Sequence, residues 1–161
     1  MTSEEIWQML AEVKDPEIPL VTITGMGIVR DVLVNDHHVE VVITPTYSGC
    51  PAMKEINDSI AQKLRENNIE DFTIKSVLSP PWTTDWMTEE TREKLKESGI
   101  APPHKVQTNE LLSLLSDKRV VTCPYCGSED TKKTSEFGST LCKALHFCNG
   151  CQQPFEYFKC I

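Results

Sequence analysis

Apolar residues recur at helical spacing near the start of the chain. Ile6, Met9, Leu10 and Val13 fall at i, i+3, i+4 and i+7, one stripe on a helix that Ser3 is placed to cap. Asp15-Pro16-Glu17-Ile18-Pro19 ends that helix, because two prolines remove backbone donors and favour extended backbone. The period then changes. Ile28 to Val34 and Val39 to Ile43 are rich in β-branched residues, and Asn35-Asp36-His37-His38 between them predicts a hairpin turn with exposed histidines. Behind Cys50-Pro51, Met53, Ile56, Ile60 and Leu64 restore a helical face that should bury against the hairpin. Proline suits the first helical position, and Asn67-Asn68 stops the helix. Phe72 to Leu78 reads as a third strand. The order α-β-β-α-β predicts an α/β fold of the two-layer α+β kind.

Ser79-Pro80-Pro81-Trp82 closes this domain at about residue 80. Thr88 to Ser98 predicts a short charged helix, capped by Thr88 and closed by Gly99. Pro102-Pro103 opens a linker running to about Val120, with a short helix around Glu110 to Leu115. The expected domains are therefore 1–80, a segment and linker over 81–120, and a module over 121–161. Trp82 and Trp86 read as an exposed segment and hence as partner-interface candidates, with a core role capping the sheet as the alternative.

The module at the end of the chain carries the strongest chemical signal. Cys123-Pro124-Tyr125-Cys126 and Cys148-Asn149-Gly150-Cys151 are two Cys-x-x-Cys knuckles separated by 21 residues. Each pair grips one side of a tetrahedron, so Cys123, Cys126, Cys148 and Cys151 predict a zinc ribbon. The same four thiolates suit an iron–sulfur cluster, with Cys142 and Cys160 as alternative ligands. The chain starts Met-Thr-Ser-Glu-Glu, without a basic, apolar leader pattern, and no apolar run approaches membrane-spanning length. A reduced, cytoplasmic protein without a membrane segment is expected, where clustered cysteines hold metal rather than form bridges.

Charge argues against nucleic acid as a partner. Residues 1–100 hold 9 Lys/Arg and 18 Asp/Glu, a balance of −9, while 101–161 hold 7 and 6, a balance of +1. Lys132-Lys133 is too small a basic spot to track phosphates. Gly25-Met26-Gly27 lacks the third glycine of a dinucleotide loop, and no phosphate loop or serine-nucleophile elbow occurs. No Glu-x-x-His pair is present to hold two irons. The chain is not expected to be a catalyst on its own, and no catalytic residue is assigned.

In the first domain, Cys50 follows a glycine-containing loop and precedes a helix, where the dipole favours a thiolate. Thr46, Tyr47 and Ser48 supply nearby hydroxyls, and the stiff turn carrying Asp15 and Glu17 can bring carboxylates to the same end of the sheet. A buried cysteine acting as a small hydrophobe is the plain alternative.

Asp15-Pro16-Glu17-Ile18-Pro19, the Ile28–Val34 strand and Thr46-Tyr47-Ser48-Gly49-Cys50-Pro51 resemble the iron–sulfur cluster assembly family, formerly domain of unknown function 59. Three further blocks narrow the resemblance: Pro81 to Thr88, Ser135 to Ala144 and Pro154 to Ile161. They are similar to the D-subunit family associated with bacterial phenylacetyl-CoA 1,2-epoxidase, a multicomponent monooxygenase of phenylacetate catabolism. That resemblance implies an accessory protein that helps mature or maintain metal centres, foremost the iron–sulfur cluster of the flavin reductase component. It implies the reductase and the di-iron oxygenase subunits as partners and leaves a homo-oligomer open. Cys50, Asp15, Glu17 and Thr46 become cluster-transfer candidates, with a transient iron–sulfur cluster beside a structural zinc. The alternative is a non-catalytic structural subunit bridging oxygenase components. Gly25 stands where many relatives carry aspartate, and Ser48 where many carry proline.

Overall fold

The computed structural model of the chain describes residues 1–103 and 120–159, which form two compact units, Met1–Thr91 and Arg92–Ile161. The short helix expected around Glu110 to Leu115 lies outside the described residues.

The first unit opens with α1 (Ser3–Leu10), capped by Thr2 rather than by Ser3. Thr2 Oγ1 accepts the Glu5 N–H at 3.3 Å, and Glu5 Oε2 accepts the Thr2 N–H at 2.7 Å, a reciprocal capping box. The backbone bond from Thr2 holds the Glu5 carboxyl below its ordinary value. Ser3 points elsewhere, its hydroxyl donating to Val32 O at 2.7 Å. Ile6 and Leu10 are buried as the stripe requires, whereas Val13 is buried from the loop beyond the helix.

The hairpin forms as β1 (Val29–Asn35) against β2 (His38–Ile43), with Asp36 in the left-handed region at φ 54°. One extra residue, Arg30, bulges between the Val29 and Asp31 pairs. α2 (Ala52–Glu66) then crosses over to β3 (Phe72–Ser76), which lies parallel to β2 in the sheet order β1-β2-β3. Val39, Val41 and Ile43 on one face of β2 are buried, as are Ile56, Ile60 and Leu64 on α2, and these build the core.

The segment after β3 returns to this unit. Trp82 is 3% exposed and its Nε1–H donates to Met26 O at 3.0 Å. The expected exposed interface at Trp82 is therefore corrected: a large ring whose only polar atom finds a backbone carbonyl is stable inside. Trp86 is half-buried in a 3₁₀ turn (Thr84–Trp86), with the Arg30 guanidinium 3.4 Å above its ring centroid. Gly27, at φ +75°, must be glycine here, since a Cβ would sit 2.7 Å from Trp86 Cβ.

α3 (Glu89–Glu97) is capped by Thr88, whose Oγ1 accepts the Thr91 N–H at 3.2 Å, and is followed by Gly99 at φ +81°. In the second unit, β4 (Ile100–Ala101), β5 (Thr131–Ser135), β6 (Lys143–Cys148) and β7 (Pro154–Phe158) form a sheet ordered β4-β7-β6-β5. β5, β6 and β7 pair antiparallel in that order, and β4 adds a parallel edge to β7. Among the described residues no helix is long and apolar enough to cross a membrane.

Trp82→Ala is expected to destabilise the first unit by about 3–5 kcal/mol, seen as a lower urea midpoint. Trp82→Phe, which strands the Met26 carbonyl but keeps most of the volume, should cost roughly 1–3 kcal/mol. Unchanged midpoints for both would contradict a core role.

Candidate metal centre and thiol loop

Each knuckle of the second unit is a tight turn closed by its own backbone. In the first, Cys123 N–H donates to Ser128 O at 2.9 Å and Gly127 N–H to Cys123 O at 3.0 Å, with Gly127 at φ +76°. In the second, Cys148 ends β6, its N–H donates to Gln153 O at 3.0 Å, and Gln152 takes φ 57°. Asn149 ties the two together: its N–H donates to Asp130 O at 2.9 Å and its side-chain amide to Asp130 Oδ1 at 3.0 Å. Ser128 in turn accepts the Asp130 N–H at 3.1 Å. Ser128, Asp130 and Asn149 thus set the register of the knuckles. The sequence reading missed them because none is a ligand; a polar pair flanking Cys-x-x-Cys turns was the one available signal.

The result is a group of four sulfurs, Cys123, Cys126, Cys148 and Cys151, all within 4.8 Å of one another. Cys123 and Cys151 Sγ are 3.7 Å apart, and Cys126 and Cys148 Sγ are 3.6 Å apart. A tetrahedron with metal–sulfur bonds of about 2.3 Å has edges of about 3.8 Å, so the residues fit a single ion. Two or four irons would spread the same ligands wider.

Electrostatics favours a cation here. The Cys151 N–H donates to Cys148 Sγ at 3.5 Å and is the main cause pulling the Cys148 thiol down to about 7. Burial, with the crowding of neighbouring thiols, pushes Cys151 up to about 12. Four sulfurs at this spacing cannot all ionise without a counter-charge, and a bound metal ion supplies it. Cys142 lies apart from the four, buried with the Thr140 hydroxyl 3.0 Å from its sulfur, and Cys160 lies outside the described residues. His146, two residues before Cys148, is buried against Phe155 and Tyr157, and burial holds it below its ordinary pKa, neutral in the core.

In the first unit, Cys50 is half-buried at the end of the loop that follows β2. Its N–H donates to Tyr47 O at 3.3 Å, and Gly49, at φ +80°, has open space around it. No side chain caps the start of α2. Asp15 is buried and Oδ1 accepts the N–H groups of Glu17 and Ile18 at 2.8 and 2.9 Å, so it shapes the acidic turn. A chain of backbone bonds, Ile23 to Val13, Ile28 to Ile23 and Thr44 to Ile28, carries both loops to the same end of the sheet. Thr46 and Glu17 are half-buried in those loops. His38, at the start of the central strand β2, is pinned by Asp71 at 2.7 Å and by Thr73 of the neighbouring β3 at 3.0 Å.

Fold and site together define a two-module protein, an α+β assembly-type domain joined to a metal-holding β ribbon. Comparison with known proteins agrees. Residues 3–77 match the family model for an iron–sulfur cluster assembly protein, and residues 107–159 match the PaaD zinc beta ribbon domain. A protein of Escherichia coli assigned as the D component of 1,2-phenylacetyl-CoA epoxidase is 45% identical over 98% of this chain and 92% of its own length. An Fe-S protein maturation auxiliary factor of Porphyromonas gingivalis is 34% identical over 58% of this chain and 90% of its own. The crystal structure of a domain of unknown function 59 from Bacillus anthracis superposes with a TM-score of 0.55 at 26% identity, covering 58% of this chain and 90% of that one. The chain belongs to the family of 1,2-phenylacetyl-CoA epoxidase D components.

Cys148→Ser should lower metal content from stoichiometric to near zero, because it removes a buried ligand. Acidification should act in the same direction. The ligands bind metal deprotonated, so occupancy holds at neutral pH and falls as protons compete at lower pH. Metal released to a chromogenic chelator across a pH series checks this; occupancy independent of pH would contradict it.

Proposed function

We propose that this chain is an accessory component of a 1,2-phenylacetyl-CoA epoxidase system, assisting assembly or maintenance of the iron–sulfur cluster in the reductase. The observation that carries the reading is the joining of an iron–sulfur-assembly domain to a four-thiolate ribbon in one chain, similar along nearly its whole length to the D component of such an epoxidase.

The division of labour follows from the two sites. The ribbon's four thiolates close a tetrahedron, which suits a structural zinc that holds the fold and leaves no open position for substrate. The loop of Cys50 has the opposite character. It offers one half-buried thiol, open space at Gly49 and the positive end of α2, an arrangement suited to holding a soft metal centre transiently on its way to a client. Asp15 and Glu17 provide an acidic turn at the same end, with the Thr46 hydroxyl in the thiol loop. In this reading iron–sulfur cluster is cargo, while zinc stays with the ribbon.

A second reading, a structural subunit bridging oxygenase components, loses the buried Trp82 as an interface anchor. It draws support from Tyr125, Phe137 and Leu141 on the ribbon, each more than half exposed. Stable stoichiometric co-purification with the oxygenase would favour it.

Co-production of the reductase with wild type or Cys50→Ser tests the leading reading. The variant should fold with an unchanged urea midpoint, while the reductase made beside it carries several-fold less iron and sulfide. Normal loading in the presence of Cys50→Ser would overturn the assignment.

A further inference from the structure

We propose that Cys126 is the oxidation point of the metal centre, and that reaction there with hydrogen peroxide releases the metal by converting Cys126 and Cys148 into a disulfide. The inference rests on the reading of the four thiolates as a metal centre and adds a chemical sensitivity to it.

The four ligands are unequal. Cys123 and Cys148 are 0% exposed and Cys151 is half-buried, whereas Cys126 is exposed. Beside it, Gly127 has no atom within 4 Å of where a Cβ would stand, so the approach to this knuckle is open. Attack by a small oxidant therefore begins at Cys126. All four sulfurs lie within 4.8 Å of one another, and Cys148 is within reach of the exposed one. Cys126 lies 3.6 Å from Cys148, and Cys123 lies 3.7 Å from Cys151.

The chemistry balances without other reagents. The Cys126 thiolate attacks peroxide, the O–O bond breaks, and a sulfenic acid and one hydroxide result. The Cys148 thiolate then displaces hydroxide from the Cys126 sulfur and the S–S bond forms. Two electrons pass from the two thiolates to peroxide. Only Cys123 and Cys151 would then remain as thiolate ligands, too few to retain the metal. The consequence reaches the fold, because Cys123 and Cys148 share a core cluster with Ala101, Val121, Phe155 and Tyr157.

The zinc-loaded full chain, treated with limiting hydrogen peroxide, tests this. Released zinc is read with a chromogenic chelator, and thiols are blocked and mapped by peptide mass spectrometry at each time. The expected result is zinc released mole for mole with peroxide consumed, and Cys126–Cys148 as the first disulfide. Cys126→His, which keeps a four-ligand site without the exposed thiolate, should release zinc roughly tenfold more slowly. If that variant fails to hold zinc, the mapping on the wild type decides alone. Zinc retained while Cys50 is fully oxidised, or Cys123–Cys151 appearing first, would overturn the proposal. A chain that neither carries nor takes up metal would overturn the metal-centre reading itself.

Discussion

The second unit depends on one constraint: four sulfurs must meet around a single ion. A core cluster of that unit comprises Ala101, Val121, Cys123, Cys148, Phe155 and Tyr157, so ligand side chains are part of what excludes water. Metal coordination is therefore coupled to the folding of this unit, as in other small domains with a metal-ligating core. The knuckle turns follow from that need. Gly127 and Gln152 take left-handed backbone so that both sulfurs of each pair face inward, and the Asn149–Asp130 contacts hold the pairs in register.

The first unit solves the opposite problem. Its core is built largely from Ile, Val and Leu side chains, and the candidate thiol Cys50 lies in a loop outside it. The Gly25–Gly27 turn is buttressed by the returning segment, through Trp82 on Met26 O and the Thr88 N–H on Gly25 O at 2.9 Å. Asp15 fixes the acidic turn from within. The thiol loop is left open at Gly49, ahead of a helix that no side chain caps. The accessory role proposed above gives the two modules different tasks: the ribbon keeps its metal, while the thiol loop, open at Gly49, is the proposed place of transient cargo.

Much of this was legible in the residues. The hairpin and α2 follow from period-2 and helical spacing, and the metal centre follows from the knuckle spacing alone, because both are local patterns. The errors share a different cause. Thr2 and Ser3 are both good caps, and the choice was made by Glu5 reaching back to Thr2 while Ser3 found Val32 from a distant strand. Trp82 beside two prolines looks like an exposed tail in sequence. Its burial depends on a partner carbonyl 56 residues away. β4, two residues long, carries no periodic signal and exists only because β7 lies beside it. Long-range pairing, not propensity, decided each case.

X-ray absorption on the full chain prepared without oxygen tests the central claim most directly, since it reports both the metal and its shell. The account predicts a zinc edge with four sulfurs at about 2.3 Å and no metal–metal vector. An iron edge with an iron–iron vector from the ribbon cysteines would contradict it, and would make the ribbon itself a cluster carrier.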